Sequence, residues 1–305
     1  MTVHLPASLL VIERGWLSAN NILMFDGDTA TLVDSGYVTH APQTVALVRH
    51  ALNGHRLARL VNTHSHSDHI GGNSALKAAY GCDIYVTAGL AATIADWDED
   101  ALLLSPLGQQ AARFQHDFLT GAGDEMVMGD LLWEALAVPG HDMAALAWYN
   151  PEKQILISGD ALWEHGFGVI FPELLGEADG LAHTRRTLEM LGRLSLRTVI
   201  PGHGAPFDQP DVALERAFRR LATFEDNIDS LAWHAIKVIV AFGLLERQSI
   251  PRSELAAFLD GLAFARDVND RYLGLTMDTL AARVTRDLLA VGALRMEDGL
   301  LRGGR

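Results

Sequence analysis

Two kinds of apolar spacing follow one another along the chain. Short, mostly apolar stretches bounded by Gly, Asp, Asn and Pro predict strands, whereas apolar residues that recur every three to four positions predict helices. The predicted strands are residues 21–25, 29–33, 59–62, 83–87, 125–128, 131–138, 144–149, 154–158 and 197–200. The predicted helices between them are residues 41–52, 73–80, 90–96, 106–119 and 176–194. This mixture, with polar residues at the strand ends, predicts an α/β protein built in layers.

The pattern changes in the C-terminal part of the chain, where helical spacing dominates from residue 211 onward. Helices are predicted over 252–259 and 276–291, and Glu297-Asp298-Gly299 predicts a terminal hairpin. We therefore expect a larger catalytic unit of residues 1–232 and a smaller, mainly helical unit of residues 233–305. The helices and hairpin of the smaller unit resemble a winged helix.

The distribution of charge argues against a nucleic-acid partner. The chain has a formal net charge of −14, and residues 233–305 contain ten basic and nine acidic residues. Strong binding to a phosphate backbone needs several uncompensated Lys or Arg residues, which this composition does not supply. We expect the C-terminal unit to pack as a cap beside the active site.

Composition sets broad limits on the class of protein. Of the 305 residues 49% are hydrophobic, and the single cysteine, Cys82, cannot form an intrachain disulfide. No apolar run reaches the roughly 18 residues needed to span a bilayer. We therefore expect a soluble cytoplasmic protein that acts on a small molecule, with no membrane partner, and we allow for a homodimer.

A cluster of metal-binding residue types follows the predicted strand 59–62. His64, His66, Asp68 and His69 fall within six positions. Side chains two positions apart in extended backbone point the same way, so His64 and His66 can bind one ion while Asp68 and His69 face a neighbouring position. Neutral imidazole and carboxylate groups suit Zn²⁺, and also Fe or Mn.

Three more candidate ligands each follow an apolar run that ends in glycine. They are His141, Asp160 and His203, after Gly140, Gly159 and Gly202 respectively. Functional side chains are commonly placed in this way, at the ends of elements of a rigid scaffold.

The complete set, His-x-His-x-Asp-His followed by Gly-His, Gly-Asp and Gly-His, resembles the metallo-β-lactamase-fold hydrolases over about two-thirds of the chain. The resemblance implies a four-layer αββα sandwich with two divalent ions in a cleft along its edge. It assigns His64, His66 and His141 to one ion, Asp68, His69 and His203 to the other, and Asp160 to a bridge between them. A water or hydroxide between the ions would be the nucleophile.

Two aspartates have further roles under this resemblance. Asp34 ends the predicted strand 29–33 and resembles the family's strand-end Asp, which holds a ligand or its loop by hydrogen bonds without binding metal. An Asx turn is the alternative role for Asp34. Asp68 is expected to be catalytic as well as a ligand, by relaying the proton.

The loop after Asp160 bears on the substrate. The run from Gly159 to Leu162, followed by Gly166-Phe167-Gly168, resembles the corresponding loop of glyoxalase II-type thioester hydrolases. Val169 and Phe167 replace that family's Arg and Cys, which argues against glutathione specificity. The candidate pocket residues are Trp163, His165, Phe167 and Phe171, unless this is an ordinary loop that packs on its own aromatic residues.

The winged-helix-like tail resembles that of the β-lactamase-like branch, which includes thioesterases and single-strand ribonucleases. We expect a metal-dependent hydrolase of a small acyl substrate, foremost a thioester or related ester. The alternatives are a lactonase with the same two-ion site, a phosphodiesterase or ribonuclease, and a non-catalytic regulatory module that binds metal.

Overall fold

The computed structural model describes residues 3–176 and 179–304. Residues 177 and 178, within the predicted helix 176–194, lie outside the described residues. Residues 1, 2 and 305, at the ends of the two predicted units, lie outside them as well.

The N-terminal half forms a six-stranded sheet with the strands in sequence order. The strands are β1 (Leu9–Ile12), β2 (Asn21–Asp26), β3 (Thr29–Val33), β4 (Arg56–Val61), β5 (Asp83–Thr87) and β6 (Phe118–Thr120). The helices are α1 (Ala41–Leu52), α2 (Ser67–Ile70), α3 (Asn73–Tyr80), α4 (Ala91–Asp96) and α5 (Leu104–Leu107). The first three strands are antiparallel, and β3 to β6 are parallel to one another.

A second sheet of five strands follows, in the order β11-β10-β9-β8-β7. Its strands are β7 (Glu125–Met128), β8 (Leu131–Ala137), β9 (Leu146–Asn150), β10 (Ile155–Gly159) and β11 (Thr198–Pro201). The helices of this half are α6 (Phe171–Leu175), α7 (Gly180–Leu191) and α8 (Pro210–Asp226). β10 and β11 are parallel, so their carboxyl ends lie at the same edge of the sheet.

Three hydrophobic layers separate the sheets and helices. The layer between the two sheets includes Trp133 and Trp148, which are fully buried. Leu60 and Leu76 belong to the layer between the first sheet and its helices, and Leu156 belongs to the layer outside the second sheet. This is the four-layer αββα sandwich, which confirms the predicted fold class.

The C-terminal region is mainly helical, as predicted. It contains α9 (Ile228–Arg247), α10 (Leu255–Gly261), α11 (Ala263–Val268) and α12 (Met277–Ala290), and a small sheet of β12 (Ile250–Pro251), β13 (Leu294–Glu297) and β14 (Leu300–Gly303). The predicted boundary between residues 232 and 233 falls inside α9, and one hydrophobic cluster runs from the second sheet into this region. The division into two units and the winged-helix interpretation stay predictions.

Within the described residues, α9 is the helix whose length and composition would suffice to cross a membrane. Half of its most apolar stretch is buried inside the protein. Its buried residues, among them Leu231, Ile236 and Val240, belong to the same hydrophobic cluster as the outer face of the second sheet. This packing is that of a core helix.

The predicted helix 106–119 is wrong. The helical turn α5 ends at Gly108, whose left-handed φ of 63° stops a helix, and β6 then pairs with β5. Asp117 leads into this strand, because its carboxylate accepts the backbone N–H of Ile84 and binds Lys77. Of the apolar residues of this stretch, Phe118 and Leu119 therefore belong to an edge strand, whereas Leu107 ends α5 and Phe114 is buried from the loop between α5 and β6.

Candidate functional site

The candidate ligands converge because the strands that precede them end at one edge of the sandwich. Asp34 follows β3, the cluster of residues 64–69 follows β4, and His141 comes shortly after β8. Asp160 and His203 follow the parallel strands β10 and β11. The edge of the sandwich at which these strands end therefore carries candidate ligands from both of its halves.

His64, His66 and His141 form the first group. His66 Nδ1 lies 3.1 Å from His64 Nε2 and 2.7 Å from His141 Nε2. The His141 ring is oriented by its other nitrogen, which donates to the Val169 carbonyl at 2.5 Å. His141 Nε2 is therefore the unprotonated nitrogen of a neutral ring, and it points into the group.

Asp68, His69 and His203 form the second group. His203 Nε2 lies 2.9 Å from Asp68 Oδ2, and His69 Nε2 lies 3.8 Å from the same oxygen. Asp68 and His69 reach this position from α2, the short helix that begins directly after His66.

Asp160 lies between the two groups. Its Oδ2 is 3.5 Å from His141 Nε2 in the first group and 3.8 Å from His203 Nε2 in the second. Its Oδ1 is 3.4 Å from His69 Nε2. One carboxylate thus faces both groups, which is the placement needed to share it between two ions.

Asp34 contacts the cluster from behind. Its Oδ2 accepts His69 Nδ1 at 2.8 Å and the Thr63 hydroxyl at 2.8 Å, while Oδ1 accepts the Thr63 backbone N–H at 2.9 Å. These bonds fix the His69 ring and the start of the loop, and they keep the Asp34 carboxylate turned away from the two groups. This contact corresponds to the orienting carboxylate that metal-ligating histidines commonly have.

The hydrogen bonds leave lone pairs facing one another inside the site. The Thr63 hydroxyl proton goes to Asp34, so this oxygen accepts from His64 Nδ1 at 3.0 Å, and His64 Nε2 is left without a proton. In the neutral form of His69 the bond to Asp34 likewise places the proton on Nδ1 and leaves Nε2 free for a cation, and Nε2 is buried without a hydrogen-bond partner among the described residues. A proton on His66 Nδ1 could be donated to only one of the two nitrogen atoms beside it, His64 Nε2 and His141 Nε2. A cation satisfies all of these atoms, so the residues fit divalent metal ions.

Burial sets the protonation of the first group. Burial, together with neighbouring imidazoles, lowers the pKa of His66 and of His141 to about 4 and that of His64 well below its usual range. These rings are therefore neutral at neutral pH, as metal ligands must be.

Carboxylates set the protonation of the second group. Burial alone would lower the pKa of His69, but Asp34, Asp160 and Asp68 together raise it well above its usual range. Without an ion this ring is therefore protonated at neutral pH, and a bound cation would replace its Nε2 proton. Burial alone would raise the pKa of Asp160, but His203, His69 and His141 lower it well below its usual range. The carboxylate is therefore ionised, and its negative charge favours a cation in the same place.

Close packing at Gly202 lets the site form. A Cβ atom at this position would lie 2.2 Å from Asp160 Oδ1 and 3.0 Å from the His69 ring. Any side chain here would displace the shared carboxylate. The glycine before His203 is thus required by the site and not by a turn.

Two of the four predicted pocket residues lie beside the groups. The Trp163 indole N–H donates to Asp160 Oδ1 at 3.2 Å, and its ring is edge-on to His203 with centroids 5.5 Å apart. The Phe171 ring is edge-on to His66 at 5.3 Å. Both aromatic residues therefore border the candidate site.

The other two point elsewhere, which corrects their prediction as pocket residues. The His165 side chain is 75% exposed and contacts Arg216 and Glu164 at the surface. Phe167 is 1% exposed and packs on Phe224 and the Arg220 guanidinium in the core. Trp163 and Gly166 pair in a tight turn, and the side chains of His165 and Phe167 lie on different sides of this loop.

Sequence reasoning missed Trp16, which lies in the loop between β1 and β2. Its ring stacks on His203 at 5.3 Å with only 7° between the planes, and it meets Trp163 edge-on at 5.4 Å. The side chain is nevertheless 58% exposed. The signal available was a large aromatic residue directly after Gly15 in a polar loop, where solvent exposure of an indole is costly.

Comparison with protein families adds independent information. The family model described as "Metallo-beta-lactamase superfamily" matches residues 14–203. Two curated relatives are hydroxyacylglutathione hydrolases. The one from Rhodospirillum rubrum is 30% identical over 52% of each chain, and the one from Rhodobacter capsulatus is 34% identical over 47% of this chain and 48% of the relative. The matches thus span about half the length of these relatives.

Solved structures show the same fold. A metallo-beta-lactamase family protein from Thermus thermophilus superposes over 97% of both chains with a TM-score of 0.58 and 18% identity. The FEZ-1 metallo-beta-lactamase from Legionella gormanii covers 71% of this chain and 92% of its own, with a TM-score of 0.58 and 15% identity.

Proposed function

Because the chain belongs to the metallo-beta-lactamase superfamily, we propose that it is a metal-dependent hydrolase that cleaves small acyl thioesters or related esters. The observation that carries this proposal is the convergence of buried imidazole and carboxylate groups into two groups that share Asp160. A structural metal site is usually closed by four ligands, whereas this arrangement suits a pair of ions.

Two divalent ions, Zn²⁺ foremost, are the cofactors we propose. His64, His66 and His141 would hold one, and Asp68, His69 and His203 would hold the other. Asp160, which faces His141 of the first group and His203 of the second, would contact both. When bound, such ions polarise an acyl carbonyl and make water nucleophilic at neutral pH.

The chain itself supplies orientation and proton acceptance. The Val169 carbonyl and the Asp34 carboxylate fix the rings of His141 and His69. Asp68 is buried, and although burial alone would raise its pKa, His69 and His203 lower it below the usual value. Asp68 is therefore ionised at neutral pH and can accept a proton at its carboxylate, which agrees with the role expected of it as a proton relay.

The surroundings favour a substrate with an apolar acyl part. The exposed face of Trp16, together with Trp163 and Phe171, borders the groups with aromatic surface. The relatives' name indicates a glutathione thioester. Two arginines that reach the loop after Asp160 are already engaged, Arg216 with Glu164 and His165, and Arg220 with His234. We therefore propose thioester chemistry without glutathione specificity.

Free-thiol release tests the proposal. Acyl-CoA, acyl-glutathione and acyl-pantetheine thioesters with short and long acyl chains are offered to the metal-loaded protein, to chelator-treated protein and to His66→Ala. His50→Ala is the matched control, since His50 lies on an exposed position of α1. We expect thiol release by the wild type and by His50→Ala only.

Hydrolysis of lactones but not thioesters by the same metal-loaded protein would replace the thioester proposal by a lactonase. Cleavage of RNA would favour the phosphodiesterase class. Metal binding without turnover of any of these substrates, accompanied by a large fall in melting temperature on chelation, would indicate a structural metal site.

A further inference from the structure

A polar contact to the shared carboxylate comes from a residue that is neither a candidate ligand nor Asp34. The indole N–H of Trp163 donates to Asp160 Oδ1 at 3.2 Å in a partly buried position. Indole has a single N–H and no acceptor, so in this bond Trp163 is the donor and the Asp160 oxygen is the acceptor.

Local structure holds the indole in this orientation. The backbone of Trp163 pairs with Gly166, its N–H donating to the Gly166 carbonyl at 2.6 Å, which closes a tight turn. Arg216 of α8 donates to the next carbonyl, that of Glu164, at 3.1 Å. On the other side the Trp163 ring is edge-on to both Trp16 and His203. The ring is therefore braced by backbone, by α8 and by two aromatic neighbours.

The two oxygens of Asp160 have different surroundings as a result. Oδ2 faces His141 and His203, one from each group, at 3.5 and 3.8 Å. Oδ1 receives the Trp163 N–H and faces His69 at 3.4 Å. Rotation of the carboxylate about its Cβ–Cγ bond would break the Trp163 bond, so this bond selects the rotation that turns Oδ2 toward both groups.

We propose that Trp163 is a positioning residue for the metal centre, and that its indole N–H sets the orientation of the Asp160 carboxylate. This inference depends on the two-ion centre of the proposed function but not on the identity of the substrate. A phenylalanine at this position would keep an aromatic ring beside Trp16 and His203 and lose the N–H. Outer hydrogen-bond partners of metal ligands typically contribute about 10- to 100-fold in metal affinity or activity.

Trp163→Phe is therefore the test, with zinc affinity of the metal-stripped protein measured by competition against a chromogenic chelator. The matched control is Trp97→Phe. Trp97 also donates its indole N–H to a carboxylate, that of Glu99 at 3.3 Å, but it does so at an exposed position in the first half of the sandwich. We expect Trp163→Phe to weaken the binding of at least one zinc ion by about 10-fold or more, and Trp97→Phe to leave both affinities unchanged.

A second measurement observes the indole N–H groups of the wild-type protein directly. In protein labelled with ¹⁵N at the indole nitrogens, the six Trp residues give six N–H signals, and the variants assign two of them. Zinc addition should shift the Trp163 signal and slow its exchange with solvent, while the Trp97 signal stays in place.

The outcomes separate this inference from the proposed function. Equal zinc affinity in both variants, with thioester hydrolysis by the wild type, would overturn the role of Trp163 alone. Weakened zinc binding by Trp163→Phe in a protein that releases no thiol would support the inference and reject the thioester proposal. A wild-type protein that binds no divalent ion would overturn both.

Discussion

Two segments border the candidate site, and they use their side chains differently. In residues 64–69, His64, His66, Asp68 and His69 all turn toward the same small volume. In residues 161–171 only Trp163 and Phe171 face the site, whereas His165 is at the surface and Phe167 is in the core.

The difference follows from what fixes each backbone. The first segment leaves the buried strand β4 and enters α2 within a few residues, so its side-chain directions are set locally. The second segment is longer and turns on itself at Trp163 and Gly166. Its side chains are directed by partners far away in the chain, such as Arg220 and Phe224 on α8. Side-chain direction is therefore a local property in one segment and a tertiary property in the other.

The largest effect expected from this comparison separates two histidines. His66→Ala removes a ligand candidate that touches two other imidazoles and should abolish metal-dependent turnover. His165→Ala changes an exposed side chain and should retain wild-type metal content and activity. Metal analysis and steady-state kinetics on both variants check this, and a strong loss of activity in His165→Ala would return that residue to the pocket.

Phe167→Ala should lower the stability of the fold and leave the metal centre intact. Because the side chain is 1% exposed and packs on Phe224, its loss is expected to lower the free energy of unfolding by about 3 kcal/mol while metal content is retained. Urea unfolding measures this. Phe118→Ala is the control, since that ring is 47% exposed and should cost less than about 1 kcal/mol.

Asp34→Asn tests the support behind the first segment. Asn tolerates the left-handed backbone of this position, where φ is 57°. Its amide has one acceptor oxygen where the carboxylate has two, so its NH₂ group must face either the Thr63 backbone N–H or the donors Thr63 hydroxyl and His69 Nδ1. Zinc affinity should fall by about 10- to 100-fold with little change in the melting temperature of the metal-stripped protein. A variant that retained full zinc affinity would show that Asp34 does not support the metal centre and would favour its alternative role in an Asx turn.

The smallest effect concerns the packing of α8 on α9 behind the second segment. Burial, with Arg220 and Lys237, lowers the pKa of His234 well below its usual value, and its neutral ring accepts a hydrogen bond from Arg220. The unfolded chain therefore binds a proton below about pH 6.5 that the folded chain does not, so stability should fall as pH decreases through that value.

His234→Gln keeps an acceptor for Arg220 and removes the titration. Its stability should depend on pH less steeply than that of the wild type between about pH 7 and 5, by about 1.4 kcal/mol per pH unit at most for one proton. Urea unfolding at several pH values measures the two slopes. Parallel slopes would show that His234 titrates normally in the folded protein.

Much of the fold could be predicted because it rests on local spacing. The helices Ala41–Leu52 and Asn73–Tyr80 and the strand Asp83–Thr87 have the predicted bounds, since their apolar period and their glycine or turn residues agree. The stretch 106–119 could not be predicted correctly, because β6 depends on pairing with β5 and on the contacts of Asp117 with Lys77 and Ile84.

The candidate site divides in the same way. The residues that converge were identifiable because each follows a strand at one edge of the sandwich. Trp16 could not be assigned, because its stacking on His203 joins the N-terminal loop to a loop far away in the chain. The bond from Trp163 to Asp160 likewise depends on a turn whose direction is not encoded in residue spacing.

The central claim is that two ions held by these groups make the chain a hydrolase, and a stoichiometric titration tests it most directly. Metal-stripped protein is titrated with Zn²⁺ while bound ion and free thiol released from an acyl thioester are recorded in the same samples. The account predicts that thiol release rises with bound zinc and levels off near two ions per chain, and that His66→Ala releases none. Full thiol release by stripped protein, or two bound ions without any hydrolysis, would contradict it.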